Sequence, residues 1–262
     1  MTIKTALLNG VLQIEIARPE RKNALTLDMY TAMADALVAA QTDAQVCAVI
    51  ITGQPGIFTS GNDLEDFLQR PPQDESGWSV SPLGRFMLAL RDCDKPVIAA
   101  VTGGAVGIGA TMLLHCDFVY MSDEARLSMP FVSLALVPEY GASLLLAQRM
   151  GQVKASEKLL LGAAITPDEA LEWGLVNQVL PPTEVLPQAR RTAERFQTLP
   201  QEAVCASKRL MRAGQGALVE QAMQREVQVF AQRLSSPETK EAIAAFFQKR
   251  SPDFAQFRAP KA

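Results

Sequence analysis

The residues of this chain that could do chemistry are few, and most of them crowd into one stretch. Thr102–Gly109 reads TGGAVGIG, with glycines at 103, 104, 107 and 109, and it follows an apolar, strand-like run from Pro96 to Val101. The segment after it, Ile108–His115, has the apolar character of a buried helix. Such a junction aims backbone N–H groups at whatever lies above it, because the first turn of a helix has donors without partners. A second glycine turn, within Gly56–Leu68 (GIFTSGNDLEDFL), follows another apolar strand and feeds a short acidic helix. The two turns could face each other. Downstream, in LVPEYG, Glu139 is the nearby glutamate that follows a proline.

Several chemistries fit a glycine-rich loop, and most fail on this chain. TGGAVGIG spells the TGxxxGIG pattern of short-chain dehydrogenases, but a dinucleotide site wants it on the first strand. Here the motif starts about 100 residues in, with too few strands beyond it for the remaining parallel sheet. The Tyr-x-x-x-Lys pair is missing, since Ala34, Glu124 and Leu144 stand four residues after Tyr30, Tyr120 and Tyr140. A phosphate-binding P-loop would need Gly-Lys-Ser/Thr, which does not occur. Two readings stay open. Backbone N–H groups from both turns could converge as an oxyanion hole for a carbonyl oxygen that gains charge. Alternatively, the glycines merely let a helix pack tightly on a strand. Glu139 is equally open, as a catalytic carboxylate or as a solvated loop acid.

Bulk properties narrow the partners. The chain has 262 residues and a net charge of −3, with its Lys and Arg scattered, so no nucleic-acid partner is expected. The four cysteines (Cys47, Cys93, Cys116, Cys205) are far apart and His115 is the single histidine, which leaves a zinc site almost without ligands. The cysteines read as buried apolar residues in a reducing compartment. The N-terminus lacks a signal-peptide core and no run reaches membrane-spanning length, so a cytoplasmic protein without a membrane is expected.

The elements that must position these residues are legible in order. Val11–Ala17 reads as a strand, and Thr26 caps a helix with Leu27, Tyr30, Met33, Ala34 and Leu37 at helical spacing. Cys47–Thr52 reads as a buried strand, 69–81 as a loop, Pro82–Arg91 as a helix, and Phe118–Met121 and Arg126–Met129 as strands. Segments 141–150, 154–161 and 167–173 read as helices stopped by Gly151, Gly162 and Gly174, and Val176–Leu180 as the last strand. From Thr183 to about Phe254 the pattern is helical, with breaks at Pro200, Gly214–Gly216 and Pro237. This divides the chain into an α/β core over 1–199 and a helical region over 200–262. Leu218, Ala222, Val227, Phe230, Phe246 and Phe247 are the expected packing positions of that region, against the core or a partner subunit.

Four stretches, ARPERKNAL, FTSGNDLEDF, DKPVIAAVTGGAVGIGATMLLHCDFVYMSDEARLSMP and TPDEALEWGLVNQVLP, in this order and spacing, resemble the crotonase (enoyl-CoA hydratase/isomerase) superfamily along nearly the whole chain. The resemblance implies an α/β spiral of ββα units with a C-terminal helical trimerisation region, a homotrimer or homohexamer, and acyl-CoA thioester substrates. No metal or redox cofactor is implied, coenzyme A entering only as part of the substrate. It places the oxyanion-hole donors on the N–H of Asn62, after Gly61, and of Ile108, after Gly107. Lys22, Asn23 and Ala24 of RKNAL, together with Asp63 and Leu64, would line the CoA groove, and Lys249 is a candidate to meet CoA phosphates. Relatives often carry alanine where this chain has Asn62. A backbone donor is indifferent to its own side chain unless that side chain blocks access.

The resemblance also sorts the chemistry. Hydratases of the family flank a water with two glutamates, which fall here on Thr111, six residues before Asp117, and on Phe131, after Pro130. Neither is an acid. Glu139, eight residues after Phe131, stands where the Δ3,Δ2-enoyl-CoA isomerases of the family carry a single catalytic glutamate. The expected reaction is therefore isomerisation of 3-enoyl-CoA to 2-enoyl-CoA, with Glu139 as acid and base. The alternatives are a hydratase-like enzyme with an acid at an unusual position, and a non-catalytic protein that binds CoA esters. His115 and Asp117 read as structural, Asp63, Glu65 and Asp66 as charging the start of a short helix, and Trp78 as shaping the acyl pocket.

Overall fold

A computed structural model describes residues 2–69 and 77–258. Of the expected 69–81 loop, residues 70–76 lie outside the described residues. Among the described residues, nine strands form two sheets of unequal size. The large sheet has six strands in the order β1 (Ile3–Leu8), β2 (Val11–Ile16), β3 (Ala48–Thr52), β5 (Val97–Val101), β7 (Phe118–Ser122) and β9 (Gln178–Leu180). Only β1 and β2 are antiparallel, joined by the left-handed pair Asn9 and Gly10. The small sheet is parallel throughout, in the order β4 (Gly56–Thr59), β6 (Gly103–Val106) and β8 (Leu127–Ser128). From β3 to β8 each successive pair thus sends one strand to each sheet, the arrangement of ββα units that the resemblance implies.

Helices α1 (Leu27–Thr42) and α3 (Pro82–Arg91) pack on each other and contribute Met33, Leu37, Phe86 and Leu90 to the main core. Thr26 caps α1 by accepting the Met29 N–H, as its sequence predicts. β3 and β5 are buried along their whole length, which suits parallel strands covered on both faces. The second face of the large sheet is covered by α8 (Pro182–Arg195), whose Val185, Ala189 and Ala193 pack on Ile50, Ile98 and Tyr120. The shorter helices are α2 (Leu64–Gln69), α4 (Ile108–Thr111), α5 (Ala142–Met150), α6 (Gln152–Leu160) and α7 (Pro167–Glu172). The chain ends in α9 (Gln201–Ala213), α10 (Gly216–Leu234) and α11 (Pro237–Phe247). No described helix is long and apolar enough to cross a membrane.

Three expectations change. The residues read as glycine loops at Gly56–Thr59 and Gly103–Val106 are strands, because pairing with each other supplies the hydrogen bonds that their side chains cannot advertise. β1, with an almost wholly exposed burial pattern, is an edge strand that gives no apolar alternation to read. In α10 the buried apolar residues are Val219 and Met223, one position from the stripe expected at Leu218 and Ala222, and of the two surfaces expected to cover Phe246 and Phe247 of α11, the core does not. Trp78, in a short turn over Trp78–Val80, packs against α3 so closely that a methyl at Gly84 would meet its carbonyl oxygen.

Asp117 ties α9 to the sheet. Its carboxylate accepts the Val97 N–H (2.8 Å), the buried Lys208 ammonium (2.5 Å) and the Arg212 guanidinium (2.9 Å). Removing the acid would strand Lys208 as a buried charge with no carboxylate. Asp117→Ala is therefore expected to lower unfolding free energy by on the order of 3–5 kcal/mol, as measured by urea denaturation. A loss below about 1 kcal/mol, the range of an exposed pair, would contradict this role.

Candidate active site

The small sheet brings the two glycine turns together by register. Thr59 of β4 pairs with Ala105 of β6, so two residues further on Gly61 stands opposite Gly107. Both have positive φ, +89° and +56°. A methyl on Gly61 would lie 2.8 Å from the Val106 carbonyl oxygen, so the turns touch backbone to backbone. The packing reading of the glycines also holds, but for other members: methyls at Gly103 and Gly109 would collide with Gly56 and with the Thr59 side chain.

Both candidate donors are left over by the surrounding pairing. Leu25 bridges the first turn by donating to Gly61 O (2.8 Å) and accepting from Asp63 N (2.9 Å), which skips the Asn62 N–H. Ile108 is the first residue of α4, where an N–H has no intrahelical acceptor. Among the described residues neither N–H has a hydrogen-bond acceptor. The Asn62 side chain, the departure from the family's common alanine, is held by the Tyr30 hydroxyl, which donates to its Oδ1 at 2.5 Å. Burial, reinforced by the charge of Glu139, pushes the Tyr30 phenol well above its ordinary range, so it stays a neutral donor.

The RKNAL segment braces the first turn. Lys22 and Asn23 are left-handed (φ 51° and 55°), which turns the buried Asn23 amide onto the carbonyls of Ile57 and Phe58, both at 3.2 Å. The Asn23 carbonyl accepts from the Thr59 hydroxyl (2.6 Å), and Lys22 O accepts from Ser60 N (3.1 Å). The Lys22 side chain is exposed, and Ala24 and Leu64 are half-buried beside the turn. Asp63 is engaged structurally. It accepts from Arg18 at 2.6 Å and caps α2 through the N–H groups of Glu65 and Asp66. Against the burial that would raise it, these partners hold the Asp63 carboxyl below its usual range. Lys249 lies beyond the end of α11, exposed and left-handed at φ 54°, rather than within the helix.

Glu139 reaches the second turn through Thr111, whose hydroxyl donates to Oε1 at 2.5 Å. Thr111 sits three residues after Ile108 on α4, about one helical turn from the candidate donor. The position where the resemblance puts a hydratase glutamate is thus occupied by a donor to Glu139. Phe131, the other such position, is buried and apolar. Burial pushes the Glu139 carboxyl up to about 8, with Thr111 opposing the shift and the nearby Glu226 adding to it. The backbone presenting Glu139 is fixed just behind it. Tyr140 has φ +62°, stacks on His115 with ring centroids 3.8 Å apart, accepts from His115 Nε2 (2.7 Å) and donates its hydroxyl to Met87 O (2.6 Å). His115 is neutral, its pKa lowered by burial to about 3, so its role is structural.

Tyr30, Thr111 as a donor, Tyr140 and Glu226 escape the sequence. Tyr30 carries only a core signal, its helical spacing, and nothing local marks Thr111 as facing a residue 28 positions away.

Comparison with known proteins gives the family and the fold. The family described as Enoyl-CoA hydratase/isomerase matches residues 7–258. The 2,3-dehydroadipyl-CoA hydratase of Escherichia coli (strain K12) is 31% identical over 244 residues, spanning 93% of this chain and 94% of that protein. The Enoyl-CoA delta isomerase 2 of Homo sapiens is 33% identical over 246 residues, spanning 93% of this chain and 62% of that protein. Among solved structures, Pseudomonas aeruginosa OdaA is 48% identical with a TM-score of 0.90, over 94% of this chain and 98% of that one. An enoyl-CoA hydratase/isomerase from Pseudoalteromonas atlantica T6c is 40% identical with the same TM-score of 0.90, over 97% of this chain and 100% of that one. Hydratase and isomerase names thus occur at similar identity, and what the match over nearly the whole length establishes is membership: the chain belongs to the enoyl-CoA hydratase/isomerase family.

Proposed function

We propose that the protein is an enoyl-CoA isomerase that shifts the double bond of a 3-enoyl-CoA to give 2-enoyl-CoA. The observation that carries this reading is the Thr111–Glu139 hydrogen bond of 2.5 Å. It fastens one carboxylate to the helix that begins with a candidate oxyanion donor, at a site where the two hydratase acid positions are Thr111 and Phe131. Glu139 takes a proton from C2 of the thioester, and the electron pair delocalises onto the thioester oxygen as a dienolate. The N–H groups of Asn62 and Ile108 stabilise that oxygen. The protonated Glu139 then delivers the proton to C4, and the double bond comes to rest between C2 and C3. Proton number is conserved and no electron leaves the substrate, so the only cofactor chemistry required is the CoA that the substrate carries.

The raised carboxyl suits the task. A base matched to neutral pH removes a C–H proton more effectively than an ordinary carboxylate, and oxyanion stabilisation by two N–H groups supplies the rest. Lys22, Ala24, Gly61, Asp63, Leu64, Gly107 and Phe131 shape the groove and turns in this reading, Asp63 through its hold on Arg18 and α2. A homotrimer or homohexamer built on the C-terminal helices, as a region distinct from the core over 1–199, is part of the proposal. Exposed Leu210, Met211, Phe246 and Phe247 support it. A cytoplasmic location goes with it. One observation favours a second reading. Relatives named hydratases are as similar as the isomerase, and a hydratase-like reaction would use Glu139 as an acid at an unusual position.

Glu139→Gln is expected to lower 3-enoyl-CoA isomerisation by roughly 10²–10⁴-fold while CoA-ester binding, followed by calorimetry, persists; isomerisation at the wild-type rate refutes the base assignment. The same variant reports stability. A folded-state pKa of about 8 against 4.5 for the free group means that stability is full at low pH and is lost as pH rises through 8. Glu139→Gln should therefore melt higher than wild type above pH 8 and match it near pH 4. For activity the base must be deprotonated, so kcat/KM should rise with pH through about 8; a flat profile between pH 5 and 9 contradicts this. Gly61→Ala, which forces the turns apart at 2.8 Å, should cost about 10²–10³-fold in kcat with little change in KM, and an unchanged kcat would show that the turns do not form the hole.

A further inference from the structure

The segment that carries Glu139 is gripped at both ends by the C-terminal helices, and one of the grips is a buried carboxylate with no role in the steps above. Upstream, the carbonyl of left-handed Ala135 (φ 57°) accepts from Arg233 Nε of α10 (3.0 Å) and from the buried Thr239 hydroxyl of α11 (3.2 Å). Downstream, Glu226 of α10 accepts the N–H of Gly141 at 2.5 Å and of Ser143 at 2.9 Å, one on each oxygen. Gly141 and Ser143 open α5, and Tyr140 and Gly141 both have positive φ, 62° and 73°. Glu226 thus satisfies helix N-terminal donors at the kink immediately after Glu139. It is 93% buried on a face that otherwise packs apolar Val219 and Met223. A buried carboxylate is costly unless it is hydrogen-bonded, so its retention there calls for a task.

We propose that Glu226 is a positioning residue for the isomerase reaction, holding the Tyr140–Gly141 kink that aims Glu139 and placing a fixed negative charge behind it. This inference rests on Glu139 being the base. Burial raises the Glu226 pKa, and the N–H groups of Gly141 and Ser143, accepted one on each oxygen at a helix N-terminus, oppose that shift by favouring the ionised form. Each element packed on Glu139 contributes a different group. α1 brings the neutral Tyr30, α4 the Thr111 hydroxyl, the adjoining Tyr140 leans on the neutral His115, and α10 brings the one like charge among the described residues. The charge of Glu226 opposes ionisation of Glu139 and makes it a stronger base once ionised.

The test compares Glu226→Gln and Glu226→Ala with Glu139→Gln in the full-length protein. Glu226→Gln keeps one acceptor and removes the charge, so the acidic limb of kcat/KM against pH should move to lower pH. Glu226→Ala frees the kink, so kcat should fall by about tenfold or more while KM stays within about threefold. If the Ala variant fails to fold, the pH limb of the Gln variant decides alone. If Glu139→Gln is inactive while the Glu226 variants that fold keep the wild-type kcat and pH limb, even with a lowered melting temperature, Glu226 is only structural and the proposal falls. If Glu139→Gln keeps wild-type activity, the isomerase reading itself fails, whatever the Glu226 variants do.

Discussion

The backbone contact between Gly61 and the Val106 carbonyl is the constraint from which the rest of the site follows. It exists because two four-residue strands, β4 and β6, pair in parallel with Thr59 opposite Ala105 and so end level with each other. Strands that short are not stable alone. Their position is borrowed from the neighbours: β3 and β5 of the large sheet feed them, Asn23 hydrogen-bonds along β4, and Ser128 O accepts from Gly107 N at the end of β6. A side chain at Gly61 would push the turns apart, whereas a methyl at Gly107 would meet nothing within 4 Å. The same geometry leaves Asn62 N–H and Ile108 N–H unpaired among the described residues, so the candidate donors are a by-product of how the small sheet ends.

Beside the second turn the protein half-buries an acid, which is unfavourable by itself. Glu139 is tolerated because Thr111 supplies a hydrogen bond and because the backbone behind it cannot relax, being pinned by the Tyr140–His115 stack and by the C-terminal helices. Left-handed residues cluster there, at Ala135, Tyr140 and Gly141. Non-glycine residues persist in that conformation when the surroundings over-determine them, and such places are frequently functional. Stability and activity pull against each other at this one residue, since the carboxyl that would make an effective base is also the group whose ionisation the fold resists.

Much of the fold was legible because buried parallel strands and amphipathic helices advertise themselves. VIAAV, AVIIT and the Tyr30–Met33–Leu37 stripe need no tertiary information. β4 and β6 were illegible for a physical reason: glycine-rich strands gain their bonds from a partner 47 residues away, as Gly56 does from Gly103, and carry no apolar alternation. β1 was missed although Asn9–Gly10 is a strong hairpin signal, because its exposed side chains mask the period. For the site, the two turns stood out as glycine patterns, but Glu139 differed from a loop acid only through the resemblance to the family. Glu226 could not be found at all from sequence, since its partners Gly141 and Ser143 lie more than 80 residues away.

The central claim is that one carboxylate, working with two backbone donors, moves a proton rather than adding water. The most direct measurement gives the wild-type protein matched 3-enoyl-CoA and 2-enoyl-CoA esters and identifies the products by mass and chromatography. The account predicts 2-enoyl-CoA, of unchanged mass, from the 3-enoyl ester, and no 3-hydroxyacyl-CoA from either. Rapid formation of the hydrated product from 2-enoyl-CoA, without isomerisation of the 3-enoyl ester, would contradict it.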